Sequence, residues 1–175
     1  NAGGTLQLDA VQGFANGATN LILNGGLITG GPNDFRGDLF LWNGNQQITA
    51  SGATTSTIAS IIGVTGNNNT MTVESGSTLN ISGGIKNSDW YENGTTPGGF
   101  IKAGSGTLVL SGTTSYGGNT TIEAGTLRLG NGSSSTNLAD TADVIVAAGA
   151  MLDLNYTGTD VIDELRDDGL QLPPG

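Results

Sequence analysis

One phrase recurs along the chain, an apolar residue, any residue, then a second apolar residue: Leu6/Leu8, Leu21/Leu23, Leu39/Leu41, Leu79/Ile81, Leu108/Leu110, Leu127/Leu129 and Leu152/Leu154. Residues two apart share one face of a β-strand, so each pair marks a short strand with one buried side. Repetition constrains the fold more than any single residue, because each unit buries apolar surface that it cannot bury alone. In residues 104–130, GSGTLVLSGTTSYGGNTTIEAGTLRLG, the phrase occurs twice around a Gly-Gly turn, and this is the clearest repeat.

Between the members of the pairs stand Gln7, Ile22, Phe40, Asn80, Val109, Arg128 and Asp153. Most are polar, as a solvent-facing row requires, while Ile22, Phe40 and Val109 need cover or form an outward apolar patch. Several phrases follow a companion strand: Met71/Val73 before Leu79/Ile81, Thr120/Ile122 before Leu127/Leu129, and Val144/Val146 before Leu152/Leu154. Each turn of the chain therefore has at least two short faces.

An antiparallel sandwich of hairpins and a coil of stacked parallel strands both use such pairs. Asn-Gly at Asn16, Asn24, Asn43, Asn93 and Asn131 suits hairpin turns. Like phrases, however, recur at irregular intervals that are often near 20 residues, which fits a solenoid turn with loops added. With only 35% hydrophobic residues and 5% aromatic ones, the core must be narrow. The 31 glycines against 4 prolines, in a background of Asn, Thr and Ser, suit many short strands joined by tight turns. Collagen is excluded because glycine is not strictly every third residue. Low-complexity disorder lacks such regularly spaced pairs.

Residues 84–99, with Trp90, Tyr91 and Pro97, and residues 30–38, with Asp34, Arg36 and Asp38, interrupt the pattern and read as inserted loops. The tail, residues 159–175, is rich in acids and carries Val161, Ile162, Leu165, Leu170 and Leu172. It suits a short helix or terminal strand over the last rung, a capping or assembly segment after a solenoid domain of residues 1–158.

The pattern of residues 104–130 resembles the autotransporter-associated β-strand repeat of bacterial surface proteins. Gly104, Gly106, Thr107, Leu108, Leu110, Gly112, Tyr116, Gly118, Thr120, Ile122, Ala124, Gly125, Thr126, Leu127 and Leu129 stand at the positions of its motif. The stretches AGGTLQLD, GSTLNISGG and AAGAMLDLN resemble partial copies. The tail is similar to a short module that follows such repeats. The resemblance implies an all-β fold, a right-handed parallel β-helix, exported to the cell surface or beyond as a stalk, adhesin scaffold or fibre. The absence of a C-terminal barrel departs from the outer-membrane autotransporter pattern.

Charge and composition narrow the chemistry. Fifteen acids against five bases give a net charge of −10, a poor surface for nucleic acid, whose phosphates require Lys and Arg. No histidine or cysteine is present, which removes Ser-His-Asp and Cys-His sites, thiol chemistry and the usual zinc site. No run of about 18 apolar residues occurs, so no helix of this sequence is expected to span a membrane. No cofactor is expected. The tail acids offer oxygens to calcium, but neither an EF-hand loop nor a glycine- and aspartate-rich nonapeptide is present. The opening at Asn1, without methionine, suits a processed or excerpted piece of a longer protein.

Two functions follow as expectations. The first is a non-enzymatic extracellular structural or adhesive solenoid module, self-associating head to tail or meeting other surface components. The second is a carbohydrate-binding or carbohydrate-cleaving β-helix, using carboxylates of the loops. In both, Trp90 and Tyr91, flanked by Asp89 and Glu92, form the candidate interaction surface, since aromatic faces stack on sugars or on protein.

Overall fold

The computed structural model describes residues 3–7, 12–14, 20–30, 39–41, 46–87, 97–132, 138–168 and 170–171. They form a coil of seven rungs. The first holds β1 (Thr5–Gln7), β2 (Gln12–Phe14) and β3 (Asn20–Leu23); the second holds β4 (Gly26–Thr29), β5 (Leu39–Leu41) and β6 (Gln47–Ala50). The third holds β7 (Thr55–Ile58), β8 (Ile62–Val64) and β9 (Gly66–Val73); the fourth holds β10 (Thr78–Ile81), β11 (Ile85–Asn87) and β12 (Gly98–Ala103). Later rungs have two strands each: β13 (Thr107–Leu110) with β14 (Thr120–Ile122), β15 (Thr126–Leu129) with β16 (Val144–Val146), and β17 (Met151–Leu154) with β18 (Leu165–Asp167). A short β19 (Leu170–Gln171) follows.

Corresponding strands of successive rungs pair into three sheets. Sheet A runs β1-β4-β7-β10-β13-β15-β17, sheet B runs β11-β8-β5-β2, and sheet C runs β19-β18-β16-β14-β12-β9-β6-β3. All these pairings are parallel except β18 with β19. The fold is the all-β parallel β-solenoid expected from the repeat. Asn24-Gly25, which on a hairpin reading would join antiparallel neighbours, instead links β3 of sheet C to β4 of sheet A, and these two strands do not pair.

The inside of sheet A shows why the coil holds. Leu6, Ile28, Ile58, Ile81, Leu110, Leu129 and Leu154 are register partners in succession, one column through seven rungs. The five central members are at most 4% exposed, whereas Leu6 is 54% and Leu154 59% exposed. Each buried member contributes about 1.5–3 kcal/mol by leaving water, and the rows together offset the ordering entropy of a glycine-rich chain. Outward, Ile22 is exposed on sheet C and Val109 half-buried on sheet A, so these two do not share one apolar patch, and the side chain of Phe40 lies outside the described residues.

In the first rungs the apolar pairs do not share one sheet. Leu6 lies in sheet A, Leu21 and Leu23 in sheet C, and Leu39 and Leu41 in sheet B. The phrase specifies which residues point inward but not which sheet they join, so three faces of two rungs look alike in sequence. From the fourth rung onward the pairs Leu79/Ile81, Leu108/Leu110, Leu127/Leu129 and Leu152/Leu154 do stack in sheet A. Their companions Met71/Val73, Thr120/Ile122 and Val144/Val146 lie in sheet C.

The corners differ in kind. Passage from sheet C back to sheet A takes two residues (24–25) to four (51–54, 74–77 and 147–150). A glycine with φ between 68° and 90° stands before every strand of sheet A: Gly3, Gly25, Gly52, Gly76, Gly104, Gly125 and Gly149. The step between rungs nevertheless varies from 19 residues (Thr107 to Thr126) to 30 (Gly26 to Ser56). The extra residues enter on the other side of the coil, on the way from sheet A through sheet B to sheet C.

Candidate functional site: a loop-bearing side over a polar-stapled interior

Both loops singled out in the sequence flank sheet B. The first leaves β4 after Thr29 and returns at Leu39 of β5; the second leaves β11 after Asn87 and returns before Gly98 of β12. Asp34, Arg36, Asp38, Asp89, Trp90, Tyr91 and Glu92 lie outside the described residues. The base of the second loop, however, is fixed by a side chain. Asn87 Oδ1 accepts hydrogen bonds from the backbone N–H of Gly98 and of Gly117, both at 2.9 Å. One amide oxygen thus ties the two ends of the loop to each other and to the next rung. Asn87→Ala leaves two partly buried N–H groups without this acceptor, and at about 1–3 kcal/mol per lost partner its midpoint of thermal unfolding should fall by several degrees.

The interior is stapled by polar groups that a pattern of apolar pairs does not mark. Asn69 is fully buried, and its Nδ2 donates to the carbonyls of Thr65 and Gly66 at 3.1 Å and of Gly99 at 3.0 Å. It sits where the register of β9 against β12 shifts, between Gly98 and Phe100. There the ladder is interrupted, and the amide supplies donors in its place. The fifth rung lacks a sheet B strand, retaining only a bridge from Lys86 to Ser115. Tyr116 fills this side: it is 4% exposed, packs edge-on against Phe100 at 5.5 Å, and shares a 2.6 Å hydrogen bond with the Thr120 hydroxyl. Burial, opposed by the Thr120 contact and aided by Asp160, pushes its phenol well above the ordinary range.

Lys102 is the least expected member. It lies in β12 between Met71 and Ile122 in register, with the same inward direction as Phe100, and it is fully buried. Its Nζ donates to the carbonyls of Ala103 (2.9 Å), Gly104 (2.6 Å) and Ala124 (2.9 Å). These belong to two successive corners between sheets C and A, so one ammonium joins two rungs. Among the described residues no carboxylate pairs with it, and burial lowers its pKa to about 8, leaving it charged at neutral pH. The signal was present in the sequence, since Phe100 and Lys102 are two apart and must share a face.

On the outer face of sheet A, Arg128 Nε donates to Asp153 Oδ2 at 2.6 Å across adjacent strands. Both side chains are substantially exposed, so water and salt screen the pair. Arg128→Ala should change unfolding free energy by no more than about 0.5 kcal/mol, which a denaturant titration can check.

The residues named for the tail are dispersed. Val161 is 58% exposed, Ile162 and Leu165 are half-buried against the core, Leu170 lies in β19 opposite Asp167, and Leu172 lies outside the described residues. The tail forms strands: β18 continues sheet C, and β19 folds back on it. Among the described residues, no group of three or more acids could hold a metal ion, and no helix is long and apolar enough to cross a membrane.

Comparison with known proteins coincides with this stapled region. Residues 100–129, which run from Phe100 through Lys102, Tyr116 and Thr120 to Leu129, match the family described as Passenger-associated-transport-repeat. Over 159 residues, 89% of the chain, the sequence is 34% identical to the Adhesin BmaC autotransporter of Brucella suis biovar 1 (strain 1330). The chain spans 4% of the length of that relative. No solved structure matches.

Proposed function

From the premise that the chain is a bacterial autotransporter passenger segment carrying a passenger-associated transport repeat, we propose that it is a non-enzymatic adhesive scaffold. Its location is the cell surface or the extracellular space. The observation that carries the proposal is the division of the coil into a lean side and a loop-bearing side. The corners between sheets C and A are short and built on glycine, whereas the insertions emerge around sheet B. A rigid rod that presents loops along one side can display contact residues without building a catalytic pocket.

Within this reading Trp90, Tyr91, Asp89 and Glu92 form the contact surface, on the loop whose base Asn87 fixes. The tail forms a cap of residues 159–175 on a solenoid of residues 1–158. Head-to-tail self-association is the finer part of the reading.

Binding of the purified chain to surface components and host cells, compared with a Trp90→Ala/Tyr91→Ala variant, tests the assignment. An adhesive scaffold should bind and lose at least about tenfold in affinity in the variant, the cost of removing stacked aromatic anchors. Equal binding by both proteins, or release of reducing ends from a polysaccharide, would overturn it. Light scattering over a range of concentration reads self-association separately.

A further inference from the structure

Asparagine followed by glycine is the dipeptide most prone to lose its side-chain amide, because glycine leaves the attacking backbone nitrogen uncrowded. Two such pairs lie among the described residues, Asn24-Gly25 and Asn131-Gly132. Asn24-Gly25 forms the whole of the corner between β3 and β4, and the Asn24 side chain is exposed to water. The third rung holds both groups that would react. Gly25 N–H donates to Ser56 Oγ at 3.0 Å, and Ser56, in β7, is 1% exposed. The Asn24 carboxamide lies against the next corner, where a Cβ on Gly52 would stand 2.6 Å from Asn24 Cγ.

We propose that Asn24 is a deamidation site gated by the third rung. While Ser56 holds the Gly25 N–H, the nitrogen is fixed and its proton engaged; when the rung lets go, the nitrogen is free to attack. It then gives its proton to solvent hydroxide and bonds to Asn24 Cγ. The bond from Cγ to Nδ2 breaks, and the departing nitrogen takes a proton from water and leaves as ammonia. Water opens the succinimide at one of its two carbonyls, giving aspartate or, with the chain rerouted through Cβ, isoaspartate. Isoaspartate adds an atom to the backbone of a corner with no residue to spare, and either product adds a negative charge to a chain already at −10.

The same hydroxyl device recurs one rung on without a reactive pair, since Ala53 N–H donates to Ser77 Oγ at 3.1 Å and Ser77 is 2% exposed. Ser77→Ala therefore removes an equivalent bond and is a matched control for Ser56→Ala. Gly132 N–H donates to the Asn155 carbonyl at 2.8 Å, a bond that neither change touches, so Asn131 is an internal reference. The chain and both variants are held at neutral pH for weeks beside the free peptide ILNGGL. Aspartate and isoaspartate at residues 24 and 131 are then counted by peptide mapping and mass spectrometry. Asn24 should convert far more slowly in the native chain than in the peptide. Ser56→Ala should speed it at least about fivefold, through loss of one hydrogen bond that resists local opening. Ser77→Ala should leave residue 24 within about twofold of the native rate. Native conversion at the peptide's rate, no acceleration in Ser56→Ala, or equal acceleration in Ser77→Ala or at Asn131 would overturn the proposal. If Ser56→Ala does not fold, hydrogen exchange of the unaltered chain decides. The Gly25 amide should exchange as slowly as that of Ala59, which donates to Ile28 across the same pair of strands, and exchange at the peptide's rate would overturn the gate.

Discussion

Lys102→Met should destabilise the folded chain by about 2–4 kcal/mol at pH 7, a larger loss than most core substitutions of equal volume cause. Methionine occupies the same apolar column between Met71 and Ile122. It cannot donate to the carbonyls of Ala103, Gly104 and Ala124, which then lose their shared partner at the junction of two rungs. Relief of the buried charge works in the opposite direction, and pH separates the two effects. The folded Lys102 titrates at about 8, below its ordinary 10.5, so between these values the unfolded chain holds the proton and the folded chain releases it. Stability of the native protein should therefore rise with pH from about 8 to 10. Tyr116 acts with the reverse sign: its folded pKa is raised above the ordinary 10, so the unfolded chain ionises first and stability falls above pH 10. Denaturant titrations should show a maximum near pH 10 in the native protein. In Lys102→Met the rising limb should vanish while the fall remains. A rising limb retained in the variant would locate its cause elsewhere.

Gly104→Ala should cost about 3 kcal/mol or more, and Gly149→Ala only about 1–2 kcal/mol. The two glycines share nearly the same backbone, φ 75° and 79°. The left-handed conformation penalises a side chain equally at both, but their surroundings differ. A Cβ at Gly104 would lie 2.3 Å from the carbonyl oxygen of Val73, backbone of the preceding rung, whereas one at Gly149 meets nothing within 4 Å. The difference between the variants, measured from unfolding midpoints at constant denaturant slope, therefore isolates the closeness with which rungs stack at the interior corners. Equal losses would show that the corner can relax by sliding one rung over the next.

What could be read from the sequence follows from what a strand pattern encodes. Leu108/Leu110 and Leu127/Leu129 announced inward faces, and residues 104–130 joined them into one turn of a coil. Those features repeat with fixed spacing. Of sheet B only Leu39/Leu41 was legible: Gln12–Phe14 and Ile62–Val64 are three-residue strands with glycine at the centre, too short to show alternation. The split of the early pairs over three sheets was hidden for a related reason, since loop length sets the face and loops carry no period. Among the interior staples, Lys102 could have been found from its spacing to Phe100, but a lone charge is ordinarily read as solvent-facing. Asn69 could not, because its place depends on a register shift that arises only when β9 and β12 pair.

The short, glycine-built corner between sheets C and A separates two properties that a surface protein must vary. Each rung adds about 4.8 Å of axial rise whatever its residue count, so the reach of the rod is counted in corners. Insertions near sheet B lengthen the chain without lengthening the rod, as the steps of 19 and 30 residues already show. A lineage can therefore exchange what the rod displays without changing how far it extends, or duplicate rungs to extend it while leaving each display loop as it was.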